Sequence, residues 1–271
     1  RQMCIRDSSE GSVFKMINQK PQIVSMAASL YLAMSAYTVT MLIIRFFIFS
    51  SQGEAEAGFY QALLSIALAL GAVVGPMNTL FLTPILNRNM APQLKFDAAH
   101  DFQKNLSVIL TAIALPVILF PKLALFVLFS SEFIGVFQVV FVFVFWQCFY
   151  QINYTYQQLL IGLDDVNYCS ASLVIGYVVS IALCYPLVNG LGLVGAALVL
   201  VVANTITLIA IGVRMSRRFN SAVPVDLWLR IVFCLGSIVG VGFVFTFIDE
   251  WSLLGLVTRV LVGMLYIAIL W

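Results

Sequence analysis

Residues 133–161 read FIGVFQVVFVFVFWQCFYQINYTYQQLLI. The stretch carries no charged side chain. As an α-helix it would run about 43 Å at 1.5 Å per residue, enough to cross a hydrocarbon core of about 30 Å. Barrel strands would alternate apolar and polar positions in units of about ten residues, and open strands would leave backbone groups unpaired in lipid. The stretch is therefore predicted to be a transmembrane helix.

Runs of the same kind recur on both sides of it. Eight spans are predicted, at about 22–50, 59–86, 105–129, 133–161, 168–188, 194–213, 227–247 and 252 to the end. The expected fold class is all-α, a polytopic transmembrane helix bundle of about eight spans. Composition agrees: 62% of the 271 residues are hydrophobic and 10% are charged, against about 45–50% and 25% in soluble domains. A soluble chain so apolar would leave large apolar patches in water. The net charge of +2 supplies no basic field for nucleic acid.

The connections alternate in charge. Lys15 and Lys20 precede the first span, Arg88, Lys95 and Lys104 join the second to the third, and Arg214, Arg217 and Arg218 follow the sixth. The other connections, 51–58, 130–132, 189–193 and 248–251, hold no Lys or Arg but carry Glu54, Glu56, Glu132, Asp249 and Glu250. The positive-inside rule places the first set in the cytoplasm. The connection 162–167 carries Asp164 and Asp165 without a basic residue and does not weigh on the rule. Met90, Leu94, Ala98 and Phe102 recur every four residues among charges, which suits either a short interfacial helix or a solvated loop.

Ionisable groups in lipid are costly and mark function or anchoring. Arg45, Lys122, Arg230 and Arg259 fall within spans, whereas every carboxylate sits at a loop or a span end. Cation-coupled pumps usually bury a carboxylate; an anionic substrate calls for buried cations, and the planar fork of Arg suits phosphate. Arg45 stands about one turn from the outer end of its span, where snorkelling and a cavity role are both open. Lys122 and Arg230 are expected to snorkel, and Arg259, about two turns into its span, is expected either to snorkel or to point into the bundle. In the fourth span Gln147, Gln151, Tyr154 and Gln158 fall four, three and four apart and share one face. Asn153, Thr155 and Gln157 broaden that polarity. Such groups must find hydrogen-bond partners, on other helices or in a water-filled cavity; the cavity is the expectation for a stripe three turns long. Pro76, Pro84, Pro116 and Pro121 are expected to bend their helices, and Gly71/Gly75 and Gly236/Gly240 have the spacing of close helix contacts.

The five cysteines and the single His100 show no metal-ligand or disulfide spacing, and there is no phosphate loop or catalytic triad. No cofactor and no enzymatic activity are expected. Met3-Cys4-Ile5-Arg6-Asp7 matches the translation of a transposon end used in sequencing libraries, so residues 1–8 are expected to be an assembly scar.

Three stretches in order carry a resemblance. The first is Gly58-Phe59-Tyr60-Gln61-Ala62 leading to Leu82-Thr83-Pro84-Ile85-Leu86-Asn87-Arg88. The second runs from Pro121 to Leu128-Phe129-Ser130-Ser131-Glu132-Phe133. The third is Leu160-Ile161-Gly162 and then Pro186-Leu187-Val188-Asn189-Gly190-Leu191-Gly192-Leu193-Val194-Gly195-Ala196-Ala197-Leu198. By their order and spacing over most of residues 15–220 the chain resembles the polysaccharide-exporter (O-antigen flippase) branch of the multidrug/oligosaccharidyl-lipid/polysaccharide superfamily. The resemblance implies two six-helix lobes around a cavity. Residues 9–213 would be the C-terminal lobe, 214–271 an additional helix pair, and the N-terminal lobe would be the missing partner. It implies flipping of undecaprenyl-pyrophosphate-linked oligosaccharide across the bacterial inner membrane, with Arg45 holding the pyrophosphate. The alternatives are a cation-coupled multidrug extruder, a membrane polysaccharide polymerase or acyltransferase, and a structural membrane subunit. The short outer connections without basic residues argue against the enzymes.

Overall fold

The computed structural model describes residues 21–86, 90–219 and 252–270, with positions 236, 240, 242, 244 and 245 between them. Residues 1–8 and nearly all of the seventh predicted span, with Arg230, lie outside the described residues. The described residues are almost entirely helical, and no strand occurs among them.

Helix α1 covers Pro21–Gln52 and α2 covers Glu54–Leu86. The expected outer loop between them shrinks to Gly53. Its φ of 98° lies in the left-handed region that only glycine enters without strain. Within α2 the five residues Asn78–Leu82 form a π-helical segment between Pro76 and Pro84. Neither proline donates a backbone hydrogen bond, and the wider turn lets the helix continue past both.

Helix α3 is Pro92–Leu119 and α4 is Pro121–Leu128. Two expectations change here. The span predicted at 105–129 is broken at Phe120, because Pro121 has no N–H to offer the preceding turn and instead starts a new helix. The segment around residues 90–102 is helical, but it is the first third of α3. Its buried face is Phe96, Ala99, His100 and Gln103, while Leu94 of the expected apolar stripe is 52% exposed.

A 3₁₀ turn, Ser131–Val136, leads into α5, Phe137–Gly162. The helical run Val166–Phe219 is broken at Gly192 (φ 60°, ψ −134°), where the chain reverses. Its arms are α6 (166–191) and α7 (193–219). Tyr168 Oη donates to Ala210 O at 2.9 Å and Thr207 Oγ1 to Ser172 O at 3.4 Å, which fixes them as an antiparallel hairpin. Arg214, Arg217 and Arg218, expected in a loop, ride on the last turns of α7. Helix α8 is Leu253–Leu270.

Among the described residues, five helical runs are long and apolar enough to cross a membrane: Val24–Gln52, Glu54–Leu86, Pro92–Leu119, Ser131–Gly162 and Val166–Phe219. Central α5 packs on α2, α3, α6 and α7 and buries Phe143, Val144, Trp146, Ile152, Tyr156, Leu159 and Leu160. Peripheral α1 packs chiefly on the α6–α7 hairpin. It leaves Tyr31, Leu32, Met34, Leu42 and Phe46 between 59% and 76% exposed. In water that belt would drive aggregation; in hydrocarbon it is the expected surface.

Side-chain contacts place two of the cations within the predicted spans. Arg259 of α8 is buried. It donates to Leu119 O and, at 2.7 Å, to Phe245 O, with its guanidinium 4.9 Å from the Phe245 ring centre. The break at Pro121 explains the first contact, since it interrupts the helical bonding of the last carbonyls of α3 and Arg259 serves one of them. Lys122 places its ammonium 4.8 Å from the centre of the Phe137 ring.

Candidate functional site

The predicted stripe on α5 meets two surroundings. Gln147 and Gln151 are buried, and both amides face Gly71 of α2. A Cβ on Gly71 would stand 1.9 Å from Gln147 Nε2 and 2.9 Å from Gln151 Nε2, so glycine is what lets these amides lie against the α2 backbone. One turn further, Thr155 Oγ1 donates to Asn78 Oδ1 at 2.9 Å, inside the π-helical segment. The amide oxygens of Gln147 and Gln151 and Asn78 Nδ2 are buried without a protein partner. A buried amide group is costly unless something meets it, so this seam between α2 and α5 has bonding capacity left for water or a ligand.

Tyr154 and Gln158 sit one to two turns further on, both half-buried. Tyr154 belongs to a ladder the sequence reading did not single out. Trp146, Tyr150 and Tyr154 stand four residues apart, each successive pair of ring centres 6.3 Å apart. From α1, Tyr37 stacks on Tyr150 at 6.2 Å and meets Tyr177 of α6 edge-on at 5.6 Å. The four-residue recurrence of aromatic rings was visible in the sequence. The partners on α1 and α6 were not, because they depend on how the helices are set against each other.

Arg45 is exposed on the same helix as Tyr37. Tyr37, Met41 and Arg45 are four residues apart and share a face of α1. Tyr60 Oη of α2 donates to Met41 Sδ at 3.5 Å, and Arg45 lies within electrostatic reach of that hydroxyl. Arg45 and Tyr37 are separated by about 12 Å of helix rise. A strip thus runs along one side of the molecule from a guanidinium, past a thioether and two phenols, to a phenol and an amide. Asn153 and Thr155, expected to widen this face, are buried and make interhelix bonds instead. Asn153 Nδ2 donates to Asn204 O and Oδ1 at 3.3 and 3.2 Å.

The strip offers a fixed cation, aromatic faces, and amides and hydroxyls that both donate and accept. No group of three or more His, Cys, Asp or Glu able to hold a metal occurs among the described residues. No family model, curated protein or solved structure matches the chain.

Proposed function

We propose that the chain is one lobe of a multi-pass flippase of the bacterial inner membrane. Its substrate is an undecaprenyl-pyrophosphate-linked oligosaccharide used in polysaccharide biosynthesis. The observation that carries this reading is the strip from Arg45 through Tyr37, Tyr150 and Tyr154 to Gln158. A pyrophosphate needs a cation, and the bidentate fork of Arg45 supplies one. Sugar rings need flat apolar faces beside hydrogen-bonding groups, and the phenols and amides of α1 and α5 supply both. A polyprenyl chain needs lipid, which the exposed apolar side chains of α1 adjoin. The opposite wall of the pathway would come from the N-terminal lobe, and transport would proceed by alternating access between the two lobes.

The test is binding of a short-chain undecaprenyl-pyrophosphate oligosaccharide to the purified chain by native mass spectrometry. Arg45→Ala is expected to weaken binding about tenfold or more, as loss of a charge-assisted bidentate contact does. Arg45→Lys is expected to fall between the two. Unchanged affinity in Arg45→Ala overturns the reading. Tight binding of lipophilic cations in place of the pyrophosphate would move the chain to the multidrug extruders.

A further inference from the structure

Away from the strip, two cavities open along the groove between α1 and α6. One of about 580 Å³ is lined by Ser25, Met26, Asp164 and Asn167. The other, of about 290 Å³, includes Ser29, Leu32, Asn167, Ser170, Val174 and Ile175 in its lining. Asn167 belongs to both, and Ser29 Oγ donates to its Oδ1 at 3.0 Å, tying the two helices together across the groove. Ser170 lies in the wall of the smaller cavity. It is only 3% exposed, and its hydroxyl has no hydrogen-bond partner.

The groove is graded along its length. Its polar end holds Ser25 and Ser29 of α1, with Asp164 in the turn before α6 and Asn167 at the start of α6. One to two turns on, about 10 Å by helix rise, the lining is Leu32, Val174 and Ile175. Leu32 and Ile175 are 59% and 57% exposed, so this apolar end is continuous with the outer face of the bundle. Asp164 is exposed and takes no part in the neighbouring ion pairs of Asp165.

We propose that this groove holds a glycerophospholipid with a primary-ammonium headgroup, drawn from the surrounding bilayer. The Asp164 carboxylate takes the ammonium. The phosphodiester lies at the start of α6, where the first N–H groups carry the positive end of the helix dipole. Ser170 meets an ester oxygen, and the first part of an acyl chain follows Leu32, Val174 and Ile175 outward. A headgroup with a phosphate but no ammonium would leave Asp164 facing negative charge alone. The proposal rests on the membrane reading of the chain and not on the identity of the transported glycan.

Native mass spectrometry of the purified chain, titrated with phosphatidylethanolamine or phosphatidylglycerol of identical acyl chains, tests it. The chain is expected to retain about fivefold more of the ethanolamine lipid, the scale of one exposed charge contact. Asp164→Asn is expected to abolish that preference. Ala171→Trp, placed on an exposed position of the groove wall, is expected to reduce adducts of both lipids while leaving the helix content unchanged. Equal retention of the two lipids by the unaltered chain overturns the proposal, as does a preference that survives both substitutions. The adducts are counted without any transport, so failure of the flippase reading leaves this outcome unaffected.

Discussion

Asp165 shows how one side chain ties the α5–α6 turn to α7. It sits in the short turn between α5 and α6. Arg214 Nη2 of α7 reaches its Oδ1 at 2.9 Å, and Arg218 Nη1 reaches its Oδ2 at 2.5 Å. Arg218 also donates to Leu163 O at 3.2 Å, and Lys95 of α3 donates to Gly162 O at 2.9 Å, so the end of α5 is held by cations from two other helices. The Arg214 guanidinium, with Arg218 beside it, holds the Asp165 carboxyl below the usual carboxylate range, against the opposing pull of partial burial. A folded-state pKa below the unfolded one stabilises the fold at pH above the unfolded value, about 4, and the contribution fades as pH falls through the folded value. Thermal midpoints in detergent are therefore expected to separate the unaltered chain from Asp165→Asn at pH 7. The two should converge as the pH drops below about 4. A separation that stays constant down to pH 3 would show that the carboxylate charge is not what matters. The basic cluster after the sixth span was legible in the sequence. Its pairing with Asp165 was not, because the partners are 49 and 53 residues apart.

At the scale of helices, close approach decides the packing. Lipid supplies no hydrophobic drive between helices, so small residues that let backbones meet carry the contact. A Cβ on Gly176 of α6 would stand 2.7 Å from both Ala203 O and Thr207 Oγ1 of α7, while Gly75 of α2 has nothing within 4 Å. Gly176→Ala is expected to destabilise the fold by about 1–3 kcal/mol through overpacking, and Gly75→Ala to change the thermal midpoint little. The reverse ranking in a thermal melt would mean that the α6–α7 contact is not as drawn. The sequence pointed to Gly71 with Gly75, and only Gly71 touches another helix. The spacing of small residues identifies a candidate face, and helix register decides which member meets a neighbour. Proline effects were likewise half-legible. Pro121 was expected to bend a span and in fact ends α3 and begins α4. The charge of Arg259 said nothing about direction, because a guanidinium two turns inside a helix can reach outward or serve a carbonyl freed by a break elsewhere.

For the molecule as a whole, long apolar runs sufficed to fix helices at α1, α2, α5, α6 and α7, because apolar segments of that length must bond their backbones internally in lipid. The candidate site was legible as residues but not as a surface. Gln147, Gln151, Tyr154 and Gln158 were named by periodicity, and they divide between a buried seam against α2 and a half-buried strip shared with α1. The proposed path across the membrane requires the turns near Gly53, Ser131 and Gly192 on one face of the bilayer and the α5–α6 turn with the last turns of α7 on the other. The most direct measurement is labelling of single cysteines by a membrane-impermeant maleimide, in a background with the native cysteines replaced. Cysteines at the exposed positions Ser51, Ser131 and Asn189 are expected to react in intact spheroplasts. Cysteines at Asp164 and Arg217, also exposed, are expected to react only after permeabilisation. Reaction of both sets from the same side would contradict the arrangement, and with it the strip's place in a path across the membrane.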